Sequence, residues 1–308
     1  MGKKIEENKE VNSKANILIC KSANDWLAEG KELSPIVPLY SPFWNEGETC
    51  FFFGMAGIGK TLFAVQMAIE ISRSQPVLYC DFELSTRQFF KRYQQNGEPY
   101  VFPDNFFRLV LNPYEISEEN KIMNEIEGIA VKNEIKVVVI DNLTWLLMDG
   151  QEAKKAAPFM KRITDLKRRL GLSLLIIGHT PKKYEPAPIE LTDMAGSMVL
   201  QNFIDASFSI GKSTRDNDIR YLKQTKSRSA EIVYHEDNIL LLKLQELDDG
   251  RIGLTPMEND REVYHINRDE RAERNRNIIS LHAEGLSQRQ IAERLNISHT
   301  TVGRILRN

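Results

Sequence analysis

The stretch Gly54-Met55-Ala56-Gly57-Ile58-Gly59-Lys60-Thr61 constrains this chain more than any other. It fits the phosphate-binding pattern G-x-x-x-x-G-K-[ST] at every fixed position. Thr49-Cys50-Phe51-Phe52-Phe53 ahead of it is a short apolar run suited to a buried strand. Leu62 to Ile71 behind it has apolar residues at helical spacing. A strand, a glycine-rich turn and a helix N-terminus converge backbone N–H groups and the helix dipole on one point, a ready site for an anion. Gly54 through Leu62 would cradle the phosphates of a nucleotide. Lys60 would reach the outer phosphates and the Thr61 hydroxyl would bind Mg²⁺. A chance glycine-rich turn would not place all these positions between a strand and a helix.

The 308 residues suffice for one large α/β domain and a small appendage. The net charge of −2 does not advertise a nucleic-acid partner, so charge has to be read locally. Cys20, Cys50 and Cys80 are scattered and odd in number. They form neither a disulfide framework nor a metal-ligand spacing, which suits a reducing, cytoplasmic setting. No apolar run reaches the roughly 18 residues needed to span a bilayer, and no signal peptide is recognisable. Residues 1–14 are rich in Lys, Glu and Asn and are expected to be disordered.

Along the chain, Asn24–Glu29 reads as a short helix and Leu33–Pro42 as a proline-punctuated entry. Strands are then predicted at Pro76–Asp81, Phe106–Leu111, Lys136–Asp141 and Ser173–Gly178. Helices are predicted at Thr86–Gln95, Glu118–Lys132 and Lys154–Leu170. This alternation argues for a parallel sheet covered by helices. Beyond Leu200, Phe203–Ile210, Asp218–Gln224, Glu231–Tyr234 and Ile239–Gln245 read as consecutive strands, an antiparallel extension at the sheet edge. Asp248-Asp249-Gly250 is a turn signal. The polar run 267–274 is either a linker or the solvated first turns of a helix, and residues 275–308 read as three short helices.

Nucleotide hydrolysis also needs carboxylates. Val137-Val138-Val139-Ile140-Asp141 delivers Asp141 to the C-terminal tip of a buried strand, where open α/β sheets bind ligands. There Asp141 can hold Mg²⁺, although a strand-end Asp can also simply cap a helix. Asp81 and Glu83 alternate at the end of the preceding strand. Glu83 lies further out, where a carboxylate can orient an attacking water; capping of the next helix near Ser85 is the alternative. His179 ends the strand Leu174–Gly178 and can sense the terminal phosphate there, though a lone histidine can equally be structural.

Residues Gly54–Thr61, Phe82-Glu83-Leu84, Val137–Asp141 and Ile177–Thr180 together follow the order and spacing of RecA-like ATPases. Within that class the chain resembles the RepA-type plasmid helicase group, and more distantly DnaB-type replicative helicases, over roughly residues 20–245. The resemblance implies ATP and Mg²⁺ as ligands, Glu83 as the catalytic carboxylate and His179 as the sensor. It also implies that Lys226 and Arg228, in Lys226-Ser227-Arg228, reach the ATP site of a neighbouring subunit in a ring, expected to be a hexamer. An arginine supplied in trans would stabilise transition-state charge. A solvated basic hairpin tip is the other reading of that pair. Lys182 and Lys183 follow the sensor, where such motors grip single-stranded DNA, and Tyr184 could add stacking.

Residues 288–306 read as helix-turn-helix. Ile291, Leu295, Ile297, Val302 and Ile305 fall where two crossed helices pack, and Ala292 is small at their closest approach. Asn296 suits the turn, Ser287 and Ser298 are candidate N-caps, and Ile278, Ile279 and Leu281 would supply a supporting helix. The segment is similar to resolvase-type DNA-binding domains. His299, Thr300, Thr301 and Arg304 would face the major groove and Arg307 a phosphate. A protein-binding module of the same shape is the alternative. The expected organisation is a disordered stretch at 1–14, a RecA-like ATPase domain at 15–260, a linker at 261–274 and a helix-turn-helix domain at 275–308. The expected function is an ATP-dependent helicase or translocase acting in replication or mobilisation of a plasmid or mobile element. An ATP-switched DNA-binding regulator or loader that does not unwind is the alternative. A small-molecule kinase fits poorly.

Overall fold

The computed structural model of the protein describes residues 18–95, 97–112, 114–115, 119–142, 152–180, 187–194, 198–266, 270–295, 297 and 299–306. The chain divides into two compact units, Met1–Val37 and Pro38–Asn308. In the first, helix α1 (Ala23–Glu32) starts at Ser22, whose hydroxyl accepts the Asp25 N–H at 3.1 Å. It buries none of its residues.

The second unit opens with a small ribbon, β1 (Pro38–Tyr40) and β2 (Trp44–Asn45). There follow β3 (Thr49–Gly54), α2 (Lys60–Ser72), β4 (Val77–Asp81) and α3 (Thr86–Arg92). A second ribbon, β5 (Gln94–Gln95) and β6 (Glu98–Pro99), stops α3 short of its expected end at Gln95. Next come β7 (Phe106–Leu109), α4 (Glu119–Lys132), β8 (Val137–Asp141), α5 (Glu152–Leu170), β9 (Ser173–His179) and α6 (Met198–Phe203). The last strands are β10 (Ala206–Lys212), β11 (Ile219–Ser227), β12 (Ile239–Glu246) and β13 (Ile252–Asp260).

Among the described residues these strands form a nine-stranded sheet in the order β13-β12-β11-β10-β3-β9-β8-β4-β7. From β10 to β7 all neighbours are parallel, and β11 to β13 extend the sheet antiparallel, as the alternation and its break after Leu200 imply. The centre is β3. Phe51 and Phe53 pack into the core on one face and Phe52 and Cys50 into the core on the other, all with no exposed surface. A strand covered on both faces has no reason to alternate polar residues, which is why this one reads as an unbroken apolar run. Each buried phenylalanine stabilises the fold by about 1.5–3 kcal/mol.

Three expectations are corrected. Phe203 ends a helix rather than opening a strand, and β10 starts at Ala206. Glu231–Tyr234 is not a strand, because the Gln224 side chain takes its hydrogen bonds: Oε1 accepts the N–H groups of Val233 at 2.9 Å and Tyr234 at 3.0 Å. Strand β13, which the sequence reading did not propose, closes the sheet edge.

The span 261–274, expected as a linker, carries helix α7 (Val263–Ile266) and the first turns of α8 (Glu270–Ala283). Buried polar groups hold α7 down. Lys223 Nζ donates to Glu262 Oε2 at 2.6 Å, with side chains 4% and 1% exposed. His265 joins Ser213 Oγ at 2.8 Å through Nδ1 and Asp260 Oδ2 at 3.0 Å through Nε2. Two short helices follow, α9 (Gln288–Arg294) and α10 (His299–Ile305). No helix among the described residues is long and apolar enough to cross a membrane.

Removing Glu262 leaves the buried Lys223 ammonium with only the exposed Glu190 carboxylate, 3.5 Å away, and breaking a buried pair costs about 3–5 kcal/mol. Glu262→Gln is expected to lower stability by about that amount in urea unfolding. A loss below about 1 kcal/mol would show that the pair is not the anchor of α7.

Candidate nucleotide site and helix-turn-helix

The loop after β3 is shaped by its glycines. Gly57 and Gly59 have φ of +72° and +110°, a region that side chains resist, and Gly59 is the N-cap of α2. Gly54 lies so close to β10 that a Cβ there would stand 2.6 Å from the Ile210 carbonyl oxygen. The loop therefore turns tightly over the C-terminal end of β3 and aims the start of α2 into a cleft. The cleft has a volume of about 330 Å³ and runs along Gly57–Leu62, with Glu83 and His179 on its wall.

Lys60 is 5% exposed and folds back over its own loop. Its Nζ donates to Gly54 O at 2.9 Å and Met55 O at 2.8 Å, and meets His179 Nδ1 at 3.0 Å. Burial pulls its pKa down to about 8, against the opposing pull of the Asp141 and Glu83 charges. Burial, and then the Lys60 charge, also hold the His179 pKa below its ordinary value. An ammonium can only donate, so Nδ1 accepts and the neutral ring carries its proton on Nε2.

Asp141 sits at the tip of β8, 1% exposed. Its Oδ2 accepts the Tyr79 hydroxyl at 2.8 Å, while Oδ1 is buried with no hydrogen-bond partner among the described residues. Burial raises its pKa to about 6. Thr61 and Tyr79 oppose that shift, but Thr61 does not satisfy Oδ1. An orphaned, buried carboxylate oxygen facing a threonine hydroxyl fits a hard divalent cation, which takes oxygen ligands and completes its shell with phosphate and water. No cluster of three or more acidic, His or Cys side chains that could hold a metal occurs among the described residues. The chemistry suits Mg²⁺ shared with a nucleotide rather than a metal caged by protein.

The two carboxylates after β4 have different neighbours. Asp81 Oδ1 accepts the N–H groups of Glu83 at 3.1 Å and Leu84 at 2.9 Å. Its Oδ2 is gripped by Arg108, through Nε at 2.9 Å and Nη2 at 2.8 Å. Asp81 thus shapes the turn, and Glu83 is presented to the cleft. Asn142, which the sequence reading missed, donates from Nδ2 to Glu83 Oε2 at 2.9 Å and lies 3.3 Å from His179 Nε2. Its position immediately after Asp141 was the one signal available. Lys60 with His179 and Glu83 with Asn142 form two hydrogen-bonded pairs that lie side by side at the ends of four elements; with the proton on His179 Nε2, the 3.3 Å approach of Asn142 Nδ2 is a contact between two donors.

Lys226 and Arg228 are not brought into this set. Ile210 pairs with both Gly54 and Leu222, whereas Ser227 lies opposite Ala206, the neighbour of Cys50. The basic pair is therefore at the far end of the sheet, roughly 15 Å along β11 from the phosphate loop. There Lys226 Nζ donates to Gln201 O at 2.5 Å and Arg228 Nη1 pairs with Asp205 at 3.1 Å. Within one chain they cannot touch the cleft. Lys182, Lys183 and Tyr184 lie outside the described residues.

Helices α8 to α10 share their own core of Ile278, Leu281, Ile291, Ala292 and Val302, with Leu295, Ile297 and Ile305 packed against it. Ile279 does not join it; it is 55% exposed. Ser287 and Gln290 cap α9 reciprocally, which satisfies backbone N–H groups at its start. His299, Thr300 and Arg304 are on the exposed surface of α10. The side chain of Thr301, and Asn296, Ser298 and Arg307 altogether, lie outside the described residues.

Residues 21–185 match the sequence model of the AAA domain, a stretch covering more than half of the chain. The chain belongs to this AAA domain family. Its P-loop ATPase core is RecA- and DnaB-like, in keeping with the sheet order and the cleft. Residues 266–308 match the model of a homeodomain-like domain, which covers the three-helix cluster. No curated protein matches the chain.

The raised pKa of Asp141 within the AAA domain makes a signed prediction. An unfolded Asp titrates near 3.8 and the folded one near 6. As pH rises through that window the unfolded chain loses its proton first, so the apo protein loses stability and stays less stable above pH 6. Asp141→Asn removes this loss and is expected to make the apo protein about 1–3 kcal/mol more stable at pH 7, while weakening Mg²⁺-nucleotide binding. Equal stability of both proteins from pH 4 to pH 7 would contradict the assignment.

Proposed function

We propose that this protein is an ATP-driven DNA motor, a helicase or translocase related to the RepA-type plasmid helicase group. The proposed setting is replication or mobilisation of a plasmid or mobile element, in the cytoplasm. The observation that carries this reading is the gathering of Lys60, Glu83, Asn142 and His179 at the mouth of the phosphate loop, on a chain that also carries a helix-turn-helix.

In this reading ATP lies along Gly54–Leu62 with its phosphates at the N-terminus of α2. Lys60 exchanges its loop carbonyls for phosphate oxygens. Thr61 and Asp141 would hold Mg²⁺, which when bound screens the phosphate charge. Glu83, kept in place by Asn142, orients the attacking water and takes up its proton. His179 touches Lys60 on one side and faces Asn142 on the other, so loss of the terminal phosphate is felt at the end of β9. That strand leads directly into the segment of Lys182 and Lys183, proposed to hold single-stranded DNA. Lys226 and Arg228 are assigned to a neighbouring subunit's cleft in a homo-oligomeric ring, proposed to be a hexamer. Their distance from the cleft of their own chain supports a role in trans.

The helix-turn-helix favours a second reading. A module that binds duplex by His299, Thr300, Thr301, Arg304 and Arg307 suits an ATP-switched regulator or loader that does not unwind. A strand-displacement assay separates the two: ATP-dependent unwinding supports the motor, and ATP-dependent binding without unwinding supports the switch.

Two substitutions test the assignments. Glu83→Gln is expected to keep ATP affinity within about threefold while slowing turnover by about 10²–10⁴-fold, measured by steady-state hydrolysis. Normal hydrolysis by Glu83→Gln would place the base elsewhere. Arg304→Ala is expected to cost about 1–3 kcal/mol at a preferred duplex site if it reads a base edge. Uniform weakening on all sequences with a shallower salt dependence would make it a phosphate contact instead.

A further inference from the structure

Glu83 is exposed, and its carboxylate is tied to Asn142 at Oε2. A side-chain bond of that kind fixes a carboxylate only if the backbone carrying it is fixed as well. The backbone is held from β7, the edge strand of the sheet. There Arg108 pairs in register with Tyr79, two residues before Asp81, and its side chain reaches past the tip of β4. The guanidinium lies 4.1 Å over the ring of Phe89 on α3, which sets the plane of its fork. Nε at 2.9 Å and Nη2 at 2.8 Å converge on Asp81 Oδ2, and Nη2 also donates to Leu84 O at 2.7 Å. Asp81 Oδ1 accepts the Glu83 and Leu84 N–H groups, and Phe82 N donates to Asp141 O at 2.7 Å.

The turn does not need the fork in order to form. Oδ1 of Asp81 alone satisfies two N–H groups, and the reciprocal cap of Ser85 and Gln88 starts α3 independently. Arg108 adds a second hold, on the other oxygen of Asp81 and on the Leu84 carbonyl. Glu83 therefore sits inside a closed ring of bonds that runs from Arg108 through Asp81 to Leu84 and back. The ion pair is largely out of water, with side chains 15% and 1% exposed. Desolvation cancels much of what such a pair adds to stability, so fixing a geometry is the use it serves best. A carboxylate that orients a water needs such fixing, because a misplacement of about 1 Å can cost about 10²-fold in rate.

We propose that Arg108 is a positioning residue for hydrolysis. It is not among the residues that line the cleft. It acts through Asp81 and the Leu84 carbonyl, holding Glu83 where its carboxylate meets the attacking water. This inference rests on the reading of Glu83 as the carboxylate that activates water. Arg108 and Asp81 then work as one unit, and the loss of either is felt through Glu83.

The test combines steady-state ATP hydrolysis with calorimetric titration of Mg²⁺-ATP, on the full chain. Arg108→Lys keeps the charge and gives up the fork. It is expected to lower kcat about tenfold or more and to leave ATP affinity within about threefold. In a Glu83→Gln background the same change should lower kcat by less than about threefold, because no base is left to misplace. Asp81→Asn breaks the ring from its other side and should repeat both results. A fall in kcat of less than about tenfold in either variant would overturn the proposal. A larger further fall in the Glu83→Gln background, or a greater loss of ATP affinity, would also overturn it, because Arg108 would then be holding the fold rather than Glu83. If the wild type hydrolysed no ATP, or Glu83→Gln hydrolysed it at the wild-type rate, the reading of Glu83 would fall first and the positioning role with it.

Discussion

A lysine ammonium held almost out of water is the constraint on which the rest of this structure depends. Lys60 reaches this position because two glycines with positive φ, Gly57 and Gly59, turn the chain back over β3. Once there it has to be paid for by carbonyls, and Gly54 and Met55 supply them while His179 completes its shell. Burial destabilises the charge and draws its pKa toward 8, so the site is poised to take up compensating negative charge. A phosphate is the ligand that best relieves this. Asp141, pushed the opposite way by the same burial and left with an orphaned oxygen, calls for a cation. A nucleotide with its magnesium answers both demands together.

The sheet order makes this concentration of charge possible. With β9 and β8 inserted between β3 and β4, the C-terminal ends of these strands converge on the loop, and β4, β8 and β9 bring Asp81, Asp141 and His179 to an otherwise apolar core. Phe51, Phe52 and Phe53 hold the middle of the sheet rigid on both faces, so the polar ends do not have to supply stability. The extension then adds a wall that is bonded to the loop through Arg220 and to α2 through Gln66.

Much of this was legible in the sequence, for physical reasons. A buried parallel strand is apolar through its middle, so β3, β4, β8 and β9 stand out, and β4, β8 and β9 end at Asp81, Asp141 and His179. The phosphate loop is legible because its geometry admits few residues. Edge strands are less constrained. β13 contains Gly253 and Pro256 and exposes much of its length, so it carries no clear alternation. Nothing in the sequence marks Arg220 or Arg108, because only the fold brings Ile58 and Asp81 to them. Asp81 and Glu83 could be ranked only by position in the sequence; the grip of Arg108 on Asp81 is what distinguishes them. Helix α7 was missed because it is only four residues long and its anchors, Glu262 and His265, are themselves polar and buried only through their partners.

The central claim is that the Lys60 cradle binds and hydrolyses a nucleotide in the service of DNA. The most direct measurement is steady-state ATP hydrolysis by the full chain, with and without DNA, set beside Lys60→Ala. The account predicts Mg²⁺-dependent hydrolysis that DNA stimulates in the wild type and that is absent in Lys60→Ala under both conditions. Hydrolysis by Lys60→Ala at the wild-type rate would contradict it.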